Sequence, residues 1–404
     1  FANTGSAVTS ATGGVYTLTP TSLSDGTYTI RALVTDLAGN QSTTSGITVY
    51  VDTTAPTAGT LTMTTTDNGS SSSDGIIGTL TPSFSLASPS DTGYTGAGIA
   101  SVVVQVSTDD GSTWTTKGTS SSTSSPYAIT LSGLTSQTTY QIQALVTDVA
   151  GNTSTTALTT TSALITVDTT APTAGTVTMT TSDPGSDGIV NTLTPAFSLA
   201  VSGTSDGSYT GSGSNATGIS SVVLQVSSDG GTTWANNATF TAPSSGGTAY
   251  TVTASPALTS GTTYSVRALV TDLATNTVTS ALSTTNGRIT VDTTAPTVGT
   301  LTLDTDSGSS SSDGIVGTLT PAFTLATASD ASYTGTNAPT SAVASVVVQV
   351  STDNGSTWTT KGTSSSTSSP YAITLSGLTS QTTYKIQALV TDTAGNTSTT
   401  ALST

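Results

Sequence analysis

The chain is predicted to be all-β, a series of tandem β-sandwich modules set end to end as an extended rod. Three observations predict this. The phrase Asp-Thr-Thr-Ala-Pro-Thr begins at Asp52, Asp168 and Asp292, so one unit is copied along the chain, and self-similarity on this scale outranks any local motif in deciding architecture. Between the copies, short alternating runs rich in Val, Ile, Thr and Tyr are separated by Gly, Asp, Asn and Ser, the pattern of strands and turns. Helical periodicity is missing throughout. The copying is recent: residues 101–158 and 345–402 overlay with only Asp110/Asn354, Gln141/Lys385 and Val149/Thr393 differing, while the copy between them has drifted, as expected from duplication of a two-module unit.

The elements follow in order from the copy at 52–167. Residues 60–65 form a first strand and 79–86 a second, with the polar run 70–75 as the loop between them. Residues 99–107 are the strongest strand, 112–117 follow after a tight turn, and then come 127–131, 139–148 and 163–167. Seven such strands match an immunoglobulin-like sandwich. The sixth strand shows which face is buried: Tyr140, Ile142, Ala144 and Val146 alternate with Gln141, Gln143, Leu145 and Thr147. The same face returns as Tyr264/Val266/Ala268/Val270, as Tyr384/Ile386/Ala388/Val390 and, in a partial first module, as Tyr28/Ile30/Ala32/Val34. Threonine, β-branched and polar, favours strands without making an outer face sticky.

Boundaries fall at the repeated phrase and give modules at 1–51 (partial), 52–167, 168–291 and 292–404, the last without its final strand. Pro56, Pro172 and Pro296 fix φ and bias the preceding alanine toward extended geometry. No Gly/Ser spacer intervenes, so at about 3.3 Å per strand residue each module adds roughly 30–40 Å of length. Phe1-Ala-Asn-Thr aligns with Trp234-Ala-Asn-Asn in mid-module, which leads us to expect that a secretion signal, an anchor and a tip lie elsewhere.

Composition narrows the function class. All 22 acidic residues are aspartate, and only Lys117, Lys361, Lys385, Arg31, Arg267 and Arg288 offset them, for a net charge of −16. Such a balance argues against a nucleic-acid or anionic-membrane partner. With charged residues at 7%, solubility rests on Ser, Thr, Asn and Gly, which points to an extracellular protein. Cysteine and histidine are absent, so disulfides, thiolate or imidazole metal sites and the Ser-His and Cys-His nucleophile systems are excluded. Paired aspartates serve glycoside hydrolysis in other settings, but their recurrence in every module suits a repeated structural part, and no enzymatic activity is expected. No apolar run approaches the roughly 18 residues of a membrane span.

In a seven-strand sandwich the start of the first strand, the second–third loop and the sixth–seventh loop share one pole, and three aspartates per module belong there. They are Asp52, Asp91 and Asp148; Asp168, Asp206 and Asp272; and Asp292, Asp330 and Asp392. Converging carboxylates repel unless a hard cation bridges them, and Ca²⁺ accepts six to eight oxygens from such flexible sets. The alternative is that each aspartate closes its own turn by accepting backbone N–H bonds. Asp74, Asp187 and Asp313 would sit at the opposite pole, facing the next junction. In the middle module Thr275 replaces the glycine of Ala-Gly-Asn, so a left-handed conformation there would be strained.

Val-Asp-Thr-Thr-Ala-Pro opening a module, Ser-Asp-Gly-Ile early in it and Thr-Asp-x-Ala-Gly-Asn near its end resemble the bacterial Ig-like repeats of giant surface adhesins and biofilm-associated proteins. The resemblance covers essentially the whole chain. It implies long stalks with Ca²⁺ at module junctions, type I secretion and attachment at the bacterial cell surface. It carries the junction role to Asp52, Asp168 and Asp292 and the end-loop role to Asp36, Asp148 and Asp392, with Asp272 departing from the pattern at Thr275.

Other motifs read as structure. Ser107-Thr-Asp-Asp-Gly-Ser-Thr-Trp114, repeated at 227–234 and 351–358, resembles the Asp-box hairpin of sialidase-like propellers. A propeller would repeat every roughly 40–50 residues, far short of the interval from Asp52 to Asp168. Trp114, Trp234 and Trp358 then pack over their turns, the alternative being exposed platforms for carbohydrate. Asn-x-Ser/Thr triplets at Asn40, Asn68, Asn152, Asn215, Asn237, Asn354 and Asn396 are uninformative in a chain this rich in Ser and Thr. Two functions remain: a stalk segment of a surface adhesin, stiffened by Ca²⁺ and partnered by neighbouring modules of the same chain, or a self-assembling surface-layer, sheath or filament subunit partnered by other copies. A third, glycan binding, would rest on the tryptophans.

Overall fold

The structure is a computed structural model that describes residues 5, 6, 8, 13–67, 74–92, 98–159, 163–206, 218–242, 248–283, 287–307, 309–330 and 343–403. Phe1-Ala-Asn-Thr, most of the polar run at 70–75, and the triplet asparagines Asn68 and Asn215 lie outside the described residues. The chain divides into two compact units, 1–170 with 273–276 and 171–272 with 277–404.

The first unit opens with β1 (Gly26–Ile30), β2 (Leu33–Thr35), β3 (Gln41–Thr43) and β4 (Ile47–Val51), with β1 antiparallel to β4 and β2 to β3. Next come β5 (Thr60–Met63), β6 (Ile76–Ile77), β7 (Ser83–Ala87), β8 (Ile99–Ser107), β9 (Thr115–Thr119), β10 (Tyr127–Thr130), β11 (Thr138–Asp148), β12 (Thr153–Ala157) and β13 (Leu164–Val167). They make two sheets, β10-β7-β5 and β6-β13-β11-β8-β9. The long strand β11 serves both halves of one edge, pairing with β13 over Thr138–Gln141 and with β12 over Gln143–Thr147. Between the sheets Leu61, Phe84, Leu86 and Ile129 meet Val104, Ile142, Ala144, Val146 and Ile165, all buried. Alternation on each strand delivers these residues to one face, and each fully buried aliphatic or aromatic side chain contributes about 1.5–3 kcal/mol.

Several elements differ from the sequence expectation. The second strand, expected over 79–86, begins only at Ser83 as β7, and an unexpected short strand, β6, precedes it at Ile76–Ile77. Pro82 has no N–H to give to a ladder, and the Thr81 N–H instead bonds the Thr79 hydroxyl at 3.2 Å, so the chain turns there and β6 joins the other sheet parallel to β13. The fourth strand begins at Thr115, not at 112, because the hairpin before it absorbs residues through Thr113. A further strand, β12, was not expected either: Thr-Ser-Thr-Thr-Ala has no apolar alternation and is held by ladder hydrogen bonds to β11.

The second unit repeats this topology. β14 (Val177–Met179), β15 (Ile189–Val190), β16 (Ala196–Ala200), β17 (Ile219–Ser227), β18 (Ala235–Thr239), β19 (Ala249–Thr253), β20 (Thr262–Asp272), β21 (Thr277–Ala281) and β22 (Arg288–Val291) form sheets β14-β16-β19 and β15-β22-β20-β17-β18, with β21 on β20. β23 (Thr300–Leu303), β24 (Ala322–Ala326), β25 (Val343–Ser351), β26 (Thr359–Thr363), β27 (Tyr371–Thr374), β28 (Lys385–Asp392) and β29 (Thr397–Ala401) form β23-β24-β27 and β26-β25-β28-β29. In this last set β28 starts at Lys385, and Ile315 is 64% exposed where Ile76 and Ile189 are 3% and 2%. Among the described residues there is no α-helix. Tyr140, Tyr264 and Tyr384 each accept the N–H of the residue five earlier at 2.9, 3.1 and 2.9 Å, tying the turn before β11, β20 and β28 to the strand that follows.

Candidate metal centre at the aspartate pole

Three kinds of element bring the carboxylates to one pole: the residue after a last strand (Asp52), the loop after β7 (Asp91) and the end of β11 (Asp148). A β-bulge between Thr147 and Asp148 shifts the register against β8, so that Asp148 lies opposite Ile99. The extra residue, Ala100, is on β8, while Asp148 continues the inward alternation of β11 and is 1% exposed. The same irregularity precedes Asp272 against β17 and Asp392 against β25. In the first unit one oxygen from each of Asp52, Asp91 and Asp148 lies within 4.8 Å of the others, and in the second unit the same holds for Asp292, Asp330 and Asp392. Asp206 and Asp272, also in the second unit, approach each other within the same limit and are 6% and 0% exposed. Asp168, their counterpart in sequence, belongs to the first unit, where it is 4% exposed.

Turn chemistry and convergence coexist, divided by atom. Asp148 Oδ1 accepts the N–H groups of Gly151 at 2.7 Å and Asn152 at 2.9 Å, and its Oδ2 accepts the Asn152 amide at 2.9 Å. Burial pushes this carboxyl up, but the hydrogen bonds from the Asn152 side chain and from the backbone of Asn152, Gly151 and Ala150 outweigh it and hold it below the ordinary carboxylate range. Asp52 Oδ1 accepts the Thr54 N–H at 3.1 Å and Asp91 Oδ1 the Thr92 N–H at 2.8 Å. Their second oxygens, Asp52 Oδ2 and Asp91 Oδ2, are buried without a hydrogen-bond partner. Two orphaned carboxylate oxygens beside a third acid are an uncompensated arrangement: like charges about 4 Å apart repel by about 4 kcal/mol at an effective dielectric of about 20. A hard divalent cation reverses that sign, so the donor set fits Ca²⁺.

The loop after each third aspartate holds the linker in place. Asn152 Nδ2 also donates to the Asp52 carbonyl at 3.2 Å, Asn276 Nδ2 to that of Asp168 at 3.1 Å and Asn396 Nδ2 to that of Asp292 at 2.9 Å. From the other side, the Asp168 N–H donates to Ile77 O and the Asp292 N–H to Val190 O, both at 2.9 Å. The threonines that follow are gripped as well: Thr169 N–H by the Ser136 hydroxyl at 2.8 Å, Thr293 N–H by that of Ser260 at 2.9 Å, and Thr53 by Asp25, whose carboxylate takes its N–H at 3.0 Å and its hydroxyl at 2.7 Å. Hydrogen bonds from the Thr54 and Thr53 side chains hold Asp25 below the usual carboxylate range. Sequence reading missed these asparagines and serines, although the asparagine was visible as the last letter of the repeated loop motif.

Other aspartates close turns. Asp36 binds the N–H groups of Ala38 and Asn40 at 2.9 and 2.8 Å. Asp74, Asp187 and Asp313 each accept the N–H two residues on at 3.0 Å, and Asp67, Asp183 and Asp306, which the sequence had not singled out, bind Gly75, Gly188 and Gly314 at 2.9, 2.8 and 2.9 Å. Thr275 adopts φ +71° where Gly151 and Gly395 have +97° and +92°, the strained position anticipated for a β-branched residue. In the hairpin at 107–114, Ser107 donates to Asp109 at 2.7 Å and Asp109 takes the N–H and hydroxyl of Thr113 at 2.9 and 2.7 Å. Trp234 donates its indole N–H to Gly231 O at 3.0 Å, and the Arg267 guanidinium stacks 4.0 Å from its ring centre.

Residues 2–53 match the model of a bacterial Ig-like domain, and residues 55–162 and 295–403, more than half of the chain, match a second model with the same description. The chain belongs to the bacterial Ig-like domain family. No curated protein matches it. Among solved structures it is similar to the chicken CNTN1 FN1-FN3 domains (11% identity, 87% of this chain and 100% of that one, TM-score 0.31). It is also similar to the Bacteroides ovatus mixed-linkage glucan utilization locus SGBP-B in complex with a heptasaccharide (14%, 90% and 78%, TM-score 0.16). A third likeness is to dimeric latent PorU from Porphyromonas gingivalis (14%, 86% and 34%, TM-score 0.19). Bacterial Ig-like domains commonly occur in surface or extracellular proteins, in structural and typically non-catalytic roles. Among the described residues no helix is long and apolar enough to cross a membrane.

Proposed function

We propose that this chain is a stalk segment of a bacterial cell-surface adhesin, with Ca²⁺ held by the aspartate sets beside each linker. One observation carries the reading: the oxygens Asp52 Oδ2 and Asp91 Oδ2 are buried and unpartnered next to a linker whose backbone is bonded on both sides. Asp52, Asp91 and Asp148 in the first unit, and Asp292, Asp330 and Asp392 in the second, would hold the ion. Its charge would offset the carboxylate repulsion and couple the linker to the end loop. Reach, in this reading, is the work the segment performs.

Calcium titration of the full chain by calorimetry tests it. Saturation should raise stability by about 2.7 kcal/mol per occupied site at a hundredfold excess over Kd, and Asp91→Ala should abolish one site only. Absence of binding heat together with an unchanged melting curve in excess chelator would remove the ion. The alternative of a surface-layer or filament subunit draws on the open, threonine-lined strands β12 and β29, whose outward residues are exposed. Sedimentation distinguishes the two: a monomer at all concentrations supports the stalk, whereas calcium-dependent polymers support the layer.

A further inference from the structure

We propose that Asn354 is a site of spontaneous deamidation, gated by the hairpin that holds it. The hairpin at 351–358 has left-handed backbone at two successive positions, Asn354 with φ +63° and Gly355 with φ +94°, and asparagine followed by glycine is the pair that adopts this most readily. Turn geometry thereby sets a carboxamide next to a backbone nitrogen whose own residue has no side chain to hinder attack. Asn354 is exposed, and among the described residues it is the only asparagine followed by glycine. The amides of Asn40, Asn152, Asn237 and Asn396 are engaged, donating to Asp36, Asp148, Pro256 and Asp392 at 2.8, 2.9, 2.9 and 2.9 Å.

The Gly355 nitrogen, giving up its proton to base, attacks the Asn354 side-chain carbonyl carbon. A C–N bond closes a five-membered succinimide, and the side-chain nitrogen takes a proton from water and leaves as ammonia. Water then opens the ring: breaking the new bond leaves Asp, and breaking the original peptide bond leaves isoaspartate, whose main chain is one carbon longer. An amide and water become a carboxylate and ammonium, with no oxidant or enzyme. The gate is Ser351. Its hydroxyl accepts the Gly355 N–H at 2.8 Å while donating to Asp353 Oδ1 at 2.7 Å, and Thr357 gives Asp353 its N–H and hydroxyl at 2.8 and 2.6 Å. Deprotonation of the Gly355 nitrogen requires the first of these bonds to open. The Asp product is one this hairpin already accommodates. Its near-identical counterpart at 107–114 carries Asp110 at φ +54°, with the Gly111 N–H on the Ser107 hydroxyl at 2.9 Å.

The test is ageing of the full chain at mildly alkaline pH, followed by tryptic mapping in which fragmentation assigns the mass gain of deamidation. Conversion is expected at Asn354 and not at Asn40, Asn152, Asn237 or Asn396. Its rate should fall below that of a free peptide of residues 349–361 by the factor that protects the Gly355 amide from hydrogen exchange, because both follow the same local opening. Ser351→Ala should speed the reaction about two- to tenfold, the effect of losing one ordinary hydrogen bond. Asn354→Asp should match the parent in thermal unfolding. An intact Asn354 after the free peptide has fully reacted would overturn the proposal, and so would a rate equal to the peptide's despite a protected Gly355 amide. An unchanged rate in Ser351→Ala would remove the gate, and a lowered transition in Asn354→Asp would mean that the hairpin does not hold the product. Should Ser351→Ala unfold its module, the comparison of rate with exchange protection in the parent decides.

Discussion

A single aspartate in this chain does different work with its two oxygens. Oδ1 closes a local turn, which any Asp-Thr or Asp-Gly sequence advertises, while Oδ2 is positioned by the fold. The hairpin aspartates show the local half by itself. Hydrogen bonds from Thr113 and Ser107 lower the Asp109 carboxyl from 3.8 to about 2. The ionised form is favoured in the folded hairpin, so its stabilisation is complete above pH 3.8 and is lost as pH falls toward about 2. Asp109→Asn should therefore destabilise the hairpin at pH 6, and its deficit against the parent should shrink across that acid window. Denaturation followed by tryptophan fluorescence measures this, and a deficit independent of pH would contradict the ionic account. Tyr264 makes a simpler case. Tyr264→Phe leaves the Thr259 N–H without its acceptor at 3.1 Å, and equilibrium unfolding should register a loss of about 0.5–1.5 kcal/mol.

At the scale of elements, alternation was legible wherever a strand has one apolar face, as in β8, β10, β11 and β13, whose expected bounds hold to within a residue. It failed where other forces set the chain. Pro82 delays the start of β7 to Ser83, Asp109 captures the start of β9, and β12 has no apolar face to announce it. Gly118 in β9 marks another such place. A Cβ there would stand 2.7 Å from Ile129 Cγ2 and 2.8 Å from the Thr130 carbonyl oxygen, beside the register shift between Val104 and Gln105. Gly118→Ala should cost about 1–3 kcal/mol by overpacking, as should Gly362→Ala, whose surroundings at 2.7 and 2.8 Å are the same. A neutral result by thermal unfolding would show that β9 moves outward freely.

At the scale of the molecule, the buried hydrophobic residues among those described gather into three separate clusters, one in the first unit and two in the second, with no member in common. Phe323→Ala removes a 1%-exposed ring from one of them and should cost about 3–5 kcal/mol. Scanning calorimetry should show one transition displaced to lower temperature and the others in place; a uniform shift of all of them would mean that the clusters unfold as one. The sequence by itself determined the all-β class, the repeated sandwich and the buried face of the alternating strands, because repetition, period-two burial and turn residues are local properties of the chain. Only the tertiary structure decided which oxygens are orphaned, which asparagine holds each linker and which glycine faces a neighbour. Those depend on atoms about a hundred residues apart meeting at a few ångströms, and no local pattern encodes such a distance.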